Sequence, residues 1–390
     1  MSKALVFSEI FPPMHGGSGR WFWEVYSRLD PKEYVILAGT SADQSEFDEK
    51  AILKIKRIKF RYKKWSDWGL LSVSGLLFYM HLFIDTWKVI KQNNISVIHC
   101  GRCIPEGFIA YLIKHILNIP YYCYIHGEDV ENAATSRAFR WIVKRALRGA
   151  DLLICNSENS KRVLLAHWDV NPIKIQVITP GVDTSVFAPA TRNTALRKHF
   201  GWEARPVILT VSRLEARKGH DVLVKALPDI IKAVPNILYA IIGGGPQRSE
   251  LQSLVAQLKL ENHVLFMSEL SDQQMVECYQ QSDLFILPNR DIGRNIEGFG
   301  IVMLEAQACG IPVIGGNSGG TPETLIEGIT GFIVDCNVPE NLAQKVIAMF
   351  ATPNDLIEMG LNARKHAENY DWLILSKKLE AVFKGNTCNV

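Results

Sequence analysis

Short apolar runs alternate with longer amphipathic segments along nearly the whole chain of 390 residues. The first series of runs includes ALVFSE, YVILAG, SVIHC and DLLICNS. Strands that are apolar throughout and are separated by helical segments are typical of parallel β-α-β units, because helices then cover both faces of the sheet. The alternation therefore predicts an α/β fold built from doubly wound parallel sheets.

The alternation breaks once, after Phe187, where the string APATRNTALRKHFGWEARP is rich in Pro, Asn, Thr and charged residues. A second series of runs follows, with PVILTVSR, NILYAIIGGG, SDLFILPN and IPVIGG. The length allows more than one domain. We therefore predict two doubly wound domains, at 1–187 and 188–369, and one more helix within 370–390.

Composition excludes several classes of protein. Hydrophobic residues make up 47% and charged residues 21%, as in ordinary globular proteins. The formal net charge of +3 is too small for nucleic acid to be the main partner. The N-terminus lacks the apolar core of a secretory signal, and the apolar stretch from Gly69 to Ile84 is shorter than the roughly 18 residues of a membrane-spanning helix. We expect a cytoplasmic protein, and the eight scattered Cys suit a reducing compartment.

Ligands of open parallel sheets bind beyond the carboxyl ends of the strands, so the loops after strands are the places to search. The first such loop carries Gly16, Gly17 and Gly19 before a helix expected from about Arg20. Glycines there allow backbone amides to approach an anion at a helix N-terminus. A tight turn without a ligand explains the same glycines equally well.

Two carboxylates, Glu297 and Glu305, stand eight residues apart in EGFGIVMLE. EGFG is expected to open a helix that runs through Glu305, with Glu297 in the loop or the first turn. A rotation of 100° per residue then brings the two side chains to within about 80° of one face. The amides of Phe299 and Gly300 would then be unpaired donors at the helix start. Carboxylates accept from hydroxyls and amides donate to phosphate, so the element predicts a polyhydroxylated, phosphorylated ligand. Acids that merely favour a helix N-terminus explain Glu297 but explain Glu305 less well.

Two cations, Arg213 and Lys218, occupy the loop SRLEARKG after the first strand of the second series. The planar guanidinium of Arg213 and the compact ammonium of Lys218 together suit a diphosphate whose negative charge grows as a bond to it breaks. Solvated surface cations are the alternative. The next loop, with Gly244 inside GGGP, offers another close backbone approach.

Two further loop features have weaker patterns. His126 follows a strand in HGED and could hydrogen-bond a sugar hydroxyl, although a lone His is more often a structural donor. Cys100 and Cys103 have the spacing of a metal or redox pair, but no second Cys pair completes a zinc site, and coincidence is the better interpretation. No Asp-x-Asp occurs to hold a metal against a nucleotide diphosphate. No metal site is predicted.

Taken together, these motifs resemble the retaining glycosyltransferases of family 4. The E-x7-E element EGFGIVMLE carries most of the resemblance, supported by SRLEARKG, IIGGGP, GGTPETL and the early Gly-Gly loop. The segment LPNRDIGRNIEGFGIVMLEA looks most similar to mannosyltransferases that act on phosphatidylinositol mannosides. The resemblance implies the GT-B architecture, in which two Rossmann-like domains face each other across a cleft. The first domain would take the acceptor, the second would bind the nucleotide sugar, and the helix within 370–390 would cross back to the first.

The resemblance also implies an activity. A hexose would pass from a nucleotide diphosphate sugar, first GDP-mannose and next a UDP-hexose, to a hydroxyl of a glycan or lipid-linked acceptor. The nucleotide sugar is a substrate, so no cofactor is expected, and the reaction would be metal-independent. The residues implied in catalysis are Arg213, Lys218, Glu297 and His126, and those implied in donor binding are Gly16, Gly17, Gly244, Phe299, Gly300 and Glu305.

Other functions remain open at this point. A sugar-nucleotide epimerase of the same architecture, or a catalytically silent nucleotide-sugar-binding protein, would keep the same residues. A dinucleotide-dependent oxidoreductase would need a G-x-G-x-x-G turn and an acid after the second strand, and both are missing.

Clusters of basic residues raise the question of a membrane. Basic side chains near Trp and Leu suit peripheral docking on an anionic inner membrane face, and a solvated surface explains them equally well. The first cluster comprises Lys50, Lys54, Lys56, Arg57, Lys59, Arg61, Lys63 and Lys64, followed by Trp65 and Trp68, and the second comprises Arg137, Arg140, Lys144 and Arg148.

Overall fold

The computed structural model describes residues 3–14, 16–60, 72–134, 137–268 and 270–385, with the backbone alone at 137 and 138. Two compact units form: Met1–Pro180 with Trp372–Val390, and Gly181–Asp371. The domain limits predicted at 187 and 369 stay predictions. Each unit is an α/β structure around its own parallel sheet.

The first unit contains a seven-stranded sheet in the order β3-β2-β1-β4-β5-β6-β7. All neighbouring strands are parallel. The strands are β1 Lys3–Ser8, β2 Tyr34–Gly39, β3 Lys54–Ile58, β4 Ile95–Cys100, β5 Tyr121–Ile125, β6 Leu152–Cys155 and β7 Ile175–Val177.

Helices cover both faces of this sheet. Local signals set several of their ends: Ser72 accepts from the amide of Gly75 at the start of α3, and Asn94 ends that helix in a left-handed conformation. The helices are α1 Gly17–Tyr26, α2 Gln44–Lys50, α3 Val73–Asn93, α4 Phe108–Leu117, α5 Glu128–Ala133, α6 Arg137–Gly149, α7 Glu158–His167 and, from the end of the chain, α15 Trp372–Phe383.

Alternate residues of strand β1 pack against opposite helix layers. Leu5 and Phe7 of β1 pack in one core cluster with α3, α4 and α6. Val6, between them, packs in another cluster with α1 and α15. Since successive side chains of a strand point to opposite faces, α3, α4 and α6 form one layer and α1 and α15 belong to the other.

Helix α3 is long and apolar enough, by length and composition, to cross a membrane. In the structure 39% of its most apolar 18-residue window is buried, with Phe78, Tyr79 and Leu82 in the core of the first unit. Core helices of globular proteins can pass the same test.

The second unit contains a six-stranded parallel sheet in the order β10-β9-β8-β11-β12-β13. Its strands are β8 Val207–Val211, β9 Leu238–Ile242, β10 Val264–Met267, β11 Leu284–Leu287, β12 Val313–Gly316 and β13 Gly331–Val334. Its helices are α8 Thr194–His199, α9 His220–Ala233, α10 Arg248–Gln257, α11 Asp272–Gln281, α12 Ile301–Ala308, α13 Pro339–Ala351 and α14 Pro353–Glu368. The predicted α/β class with two parallel sheets is confirmed.

Each sheet has one point where the strand order reverses. The first unit adds strands outward from β1 and then returns to pair β4 on the other side of β1, and the second unit does the same at β8 and β11. Loops at the carboxyl ends of such strand pairs diverge and leave a crevice for ligands. The loops after β8 and β11 are the ones that contain SRLEARKG and EGFG.

The first prediction tests how α15 is held. We expect Leu379→Ala to lower the free energy of unfolding by about 2–5 kcal/mol, because Leu379 is fully buried in the cluster that contains α1. Urea denaturation measures this, and Leu373→Ala, at an exposed position of the same helix, is the matched control. Equal effects of the two substitutions would contradict the packing of α15.

Candidate active site

The loops after β8 and β11 meet through a buried ion pair. Lys218 Nζ lies 2.5 Å from Glu297 Oε2, and Arg217 Nη1 lies 2.7 Å from the same oxygen. The three side chains are only 8–11% exposed. Two residues predicted from the sequence, Lys218 and Glu297, are therefore in direct contact, and Arg217 is an additional member that the sequence interpretation missed.

The charges in this cluster control each other's ionisation. Burial acts to raise the pKa of Glu297, but Lys218 and Arg217, through charge and hydrogen bonds, bring that pKa below its ordinary value. Burial lowers the pKa of Lys218, while Glu297 acts in the opposite direction. A carboxylate kept ionised in a buried position can accept hydrogen bonds from hydroxyl groups.

Arg213 lies at the exposed rim of the cluster. Its side chain is 70% exposed and pairs with Glu215 at 2.6 Å. Glu215 also lies 3.4 Å from Arg217 Nε, which links Arg213 to the cluster. Counting Arg213, Arg217 and Lys218 against Glu215 and Glu297 gives three positive and two negative charges, a net +1 that suits an anionic ligand.

The backbone of Glu297 is held by the loop after β12. The Glu297 amide donates to Ser318 Oγ at 3.2 Å, and the Gly320 amide donates to the Glu297 carbonyl at 2.9 Å. A Cβ on Gly319 would lie 1.8 Å from that carbonyl oxygen, and Gly319 has a φ of 53°. Only glycine fits there, so the GGTPETL motif supports the position of Glu297.

The helix expected to open within EGFG begins after that segment, so Glu297 lies in the loop, one of the two places expected for it. Gly300 adopts a left-handed conformation with a φ of 97°, and α12 begins at Ile301. Glu297 lies in the preceding loop, so the argument from 100° per residue does not apply to it. Glu305 is buried on α12 and accepts from the Tyr279 hydroxyl at 2.8 Å. The structure thus gives the two carboxylates different surroundings.

The residues just before α12 combine packing with a helix start that has no cap from its own N-cap side chain. Phe299 is buried, with its ring centroid 6.4 Å from that of Tyr370. Gly300 has no side chain with which to cap the first turn of α12, and of the amides of that turn the one of Met303 donates to the Gly300 carbonyl at 2.9 Å. Unpaired amides at a helix start are suited to phosphate or hydroxyl oxygen.

The GGGP loop after β9 has two kinds of glycine. A Cβ on Gly243 would lie 2.1 Å from the Ser212 carbonyl oxygen, and one on Gly245 would lie 2.6 Å from the Leu214 carbonyl oxygen. These two glycines are required by the fold. A Cβ on Gly244 would meet no heavy atom within 4 Å among the residues described, so Gly244 faces open space, as close approach of a ligand would require.

A hydrogen-bonded chain behind the cations was also missed by the sequence interpretation. His220 Nε2 lies 2.9 Å from Ser212 Oγ, and His220 Nδ1 lies 2.9 Å from the Tyr239 hydroxyl. Burial, with the charge of Lys218, lowers the pKa of His220 to about 4, so the ring is neutral at pH 7. His220 anchors the start of the loop that carries Lys218. The only sequence signal was its place directly after Lys218 and Gly219.

In the first unit, Gly16 and Gly17 lie where the loop after β1 meets α1. The helix begins at Gly17, earlier than the expected Arg20. Gly16 precedes it, and no side chain among those described caps the start of α1. Amides at this helix start are suited to an anion, as predicted, and their role stays a prediction.

His126 acts as a structural donor in this structure. Its Nε2 lies 2.9 Å from the Gly101 carbonyl, which can only accept, so Nε2 carries the proton. The His126 amide donates to Asp129 Oδ1 at 3.1 Å, and burial lowers the pKa of the ring. In the neutral ring Nδ1 remains an acceptor. The predicted contact with a sugar hydroxyl stays a prediction.

Glu106 is a buried carboxyl at the strand-order reversal of the first unit. Its Oε1 accepts from the Glu9 amide at 2.8 Å, and its Oε2 has no hydrogen-bond partner among the described residues. Burial raises its pKa to about 7. A single Glu in the run IPEG carried no signal from which this could be predicted.

The described cysteines and metal-ligand residue types form neither a disulfide nor a metal-binding group. Seven Cys lie in the described part of the chain, all buried and unpaired, and burial raises the pKa of Cys100 and Cys103 far above the ordinary thiol value. These thiols behave as small apolar side chains. Over the described ranges, no group of three or more His, Cys, Asp and Glu residues is arranged to hold a metal ion.

Sequence models of two families match the chain, "Glycosyltransferase Family 4" over residues 15–186 and "Glycosyl transferases group 1" over residues 192–366. The D-inositol 3-phosphate glycosyltransferase of Corynebacterium diphtheriae is 30% identical over 305 residues, which cover 74% of this chain and 70% of that protein. This chain is a family 4 glycosyltransferase.

Another relative matches this glycosyltransferase over nearly its whole length. The GDP-mannose-dependent alpha-(1-6)-phosphatidylinositol monomannoside mannosyltransferase of Mycolicibacterium smegmatis is 29% identical over 386 residues, covering 98% of each chain. Among solved structures, Anabaena Alr3699/HepE in complex with UDP superimposes with a TM-score of 0.83 at 18% identity, covering 98% of this chain and 100% of that one. The glycosyltransferase WaaG gives a TM-score of 0.73 at 18% identity, with coverage of 98% and 100%. The predicted GT-B fold is confirmed.

The second prediction concerns Glu106 of this glycosyltransferase. The folded protein keeps its proton up to a pH of about 7, while the unfolded chain releases it near the ordinary pKa of 4.5, so folding loses stability as the pH rises through that window. Glu106→Gln lacks this titration. From pH 4.5 to 7.5 we expect the wild type to lose about 3 kcal/mol of unfolding free energy relative to the variant.

Urea denaturation at several pH values measures the difference. All other titrations are common to the two proteins and cancel. A constant difference across the window would show that Glu106 titrates normally and is not desolvated as the structure indicates.

Proposed function

We propose that this glycosyltransferase transfers mannose from GDP-mannose to a hydroxyl of an inositol-containing phospholipid. The carrying observation is the buried cluster of Arg217, Lys218 and Glu297 at the strand-order reversal of the second unit. It combines cations for a diphosphate with an ionised acceptor for sugar hydroxyls. The full-length similarity to GDP-mannose-dependent phosphatidylinositol monomannoside mannosyltransferases supports this choice of donor and acceptor.

In this proposal each member of the cluster has a chemical role. Lys218 and Arg213 bind the diphosphate and stabilise the charge that develops as the sugar leaves. Glu297 accepts hydrogen bonds from the hydroxyls of the transferred mannose, and the amides of Phe299 and Gly300 add donors. Glu305, buried on α12, is the residue proposed for the ribose. The roles of Gly16, Gly17 and His126, in the first unit, stay predictions.

We further propose that the reaction retains configuration at the anomeric carbon. The acceptor hydroxyl attacks from the face that the diphosphate leaves: the bond from C1 to the phosphate oxygen breaks and the bond from C1 to the acceptor oxygen forms. A diphosphate oxygen takes the hydroxyl proton. Because Lys218 and Arg213 supply the positive charge in this scheme, turnover should persist in the presence of a metal chelator.

A transfer assay tests the function. The purified protein is supplied with labelled GDP-mannose and with vesicles that contain phosphatidylinositol or its monomannoside. We expect label in the lipid fraction, with much less from UDP-glucose. Release of free mannose alone would point to a different acceptor, interconversion of the donor without an acceptor would indicate an epimerase, and no reaction of any donor would indicate a silent binding protein.

The third prediction is the effect of Lys218→Ala in that assay. Removal of one electrostatic donor to a developing negative charge typically costs about 10²–10³ in turnover, and we expect at least that loss while the protein stays folded. Lys232→Ala removes an exposed cation on α9 and is the matched control. Turnover near that of the wild type in Lys218→Ala would remove the cation from the reaction.

A lipid acceptor requires access to a membrane. The helix layer formed by α3, α4 and α6 of the first unit is suited to contact with a membrane. Helix α3 exposes a stripe of large apolar side chains at helical spacing, which are 41–77% exposed: Val73, Leu76, Leu77, Met80 and Ile84. Helices α3, α4 and α6 cover the same face of the sheet, so their exposed sides belong to one layer. Such a stripe favours contact with lipid.

Helix α6 supplies positive charge to the same layer. Arg140, Lys144, Arg145 and Arg148 are exposed, and Trp141 is 52% exposed, with the Arg145 guanidinium 5.2 Å from its ring centroid. The inner side of α6 is buried in the core. We propose that α3 and α6 dock the enzyme peripherally on an anionic membrane, with α6 providing the electrostatic attraction.

The first basic cluster is partly engaged in contacts within the first unit. Several of its members have partners within the unit: Lys50 pairs with Glu46, Lys54 with Asn93, Lys56 with Gln92, and Arg57 with Asp48. Others lie outside the described residues, namely Arg61, Lys63, Lys64, Trp65 and Trp68.

The fourth prediction tests this docking. A triple variant, Arg140→Gln, Lys144→Gln and Arg145→Gln, should lower partition onto vesicles with anionic lipid by roughly two orders of magnitude, because each near-surface cation is worth about 1 kcal/mol. Co-sedimentation at low salt measures it. Lys225→Gln with Lys232→Gln, on exposed positions of α9, is the control. If the wild type does not bind anionic vesicles at low salt, the docking proposal fails, and this result argues for a soluble acceptor.

A further inference from the structure

One oxygen of Glu297 has two cationic partners. Lys218 Nζ and Arg217 Nη1 both donate to Oε2, at 2.5 and 2.7 Å. One positive charge is enough to neutralise one carboxylate, so the second cation is in excess. The proposed function gives Lys218 to the diphosphate of the donor, and an ammonium that binds phosphate cannot keep its full interaction with Glu297. The structure therefore raises the question of what holds Glu297 when the donor is bound.

Arg217 is tied to its surroundings at both side chain and backbone. Its Nε lies 3.4 Å from Glu215 Oε2, and its carbonyl accepts from the Arg290 amide at 2.9 Å. Arg290 in turn pairs with Asp221 of α9 at 2.9 Å. A planar guanidinium held in this way keeps a fixed direction, whereas the ammonium of Lys218 sits on a flexible stem.

We propose that Arg217 is a positioning residue for the transfer reaction: it keeps Glu297 ionised and in place while Lys218 engages the leaving diphosphate. This inference rests on the proposed function. It gives Arg217 no contact with the substrate. Its effect passes through the Glu297 carboxylate, which accepts the hydroxyls of the sugar.

In the described part of the chain, the charged groups that contact the Glu297 side chain come from the loop after β8, and a second loop holds its backbone. Lys218 and Arg217 contact its side chain from the loop after β8, and Glu215 contacts it only through Arg217. From the loop after β12, Ser318 accepts from the Glu297 amide and donates to Asp291 at 2.6 Å. Both cations lower the pKa of Glu297, so losing Arg217 should raise it and protonate the carboxyl at a higher pH.

The fifth prediction compares Arg217→Gln with Arg217→Lys. We expect Arg217→Gln to lower kcat about 10²-fold near pH 6, because a misplaced sugar-binding group costs about that much, while KM for GDP-mannose changes much less. The acid limb of the pH–rate profile should shift to higher pH. Arg217→Lys restores a charge and should recover most of the loss. Lys232→Gln, at an exposed position of α9, controls for the loss of a cation elsewhere.

A merely structural role would give a different pattern. Arg217→Gln would then lower kcat by the same factor at every pH, and Arg217→Lys would be no better than Arg217→Gln. Either result, in protein that remains folded, overturns the proposal.

A second measurement does not depend on the substrate. A lowered pKa of Glu297 gives stability that is present above the pKa of the unfolded chain and is lost as the pH falls through the folded value. The advantage of the wild type over Arg217→Gln in urea denaturation should therefore shrink from pH 7 towards pH 3. If GDP-mannose is not used at all, the proposed function fails, but this measurement still tests whether Arg217 keeps Glu297 ionised: a pH-independent advantage contradicts that.

Discussion

A carboxylate that is 11% exposed stays charged only if cations and hydrogen bonds replace water, and Glu297 obtains them from loops that are distant in sequence. Their meeting depends on backbone contacts that glycine alone permits. A Cβ on Gly219 would lie 1.7 Å from the Pro288 carbonyl oxygen, and one on Gly316 would lie 1.7 Å from that of Asn289. The ion pair therefore exists because the loops after β8, β11 and β12 can touch without side chains between them.

Much of this could be predicted from the sequence. Apolar runs determine strands directly, and the rule that ligands bind beyond strand ends selected the loops that contain Lys218 and Glu297. The prediction that failed concerned local backbone conformation. EGFGIVMLE has a helical composition, but the left-handed conformation of Gly300 shortens the helix and leaves Glu297 in a loop. Composition and spacing do not show which backbone angle a glycine adopts.

Other site residues could not have been found, because a sequence pattern does not show which way a side chain points. Arg217 and Lys218 are adjacent basic residues beside Arg213, and the sequence does not reveal that Arg217 turns inward while Arg213 is 70% exposed. The hydrogen bonds of His220 depend on Tyr239, a strand residue in an apolar run. Glycines also carried an ambiguous signal, since Gly243 is required by the fold while Gly244 faces open space.

The composition of the cluster argues for exchange of partners rather than for stability alone. A buried ion pair contributes little to folding, because desolvation offsets most of the attraction. Three cations around two carboxylates are less favourable still, since one positive charge remains unbalanced. An incoming diphosphate would supply the missing negative charge and relieve that imbalance. In the proposed reaction Glu297 would serve twice: without donor it would compensate the cations, and with donor, held by Arg217, it would be available to the sugar.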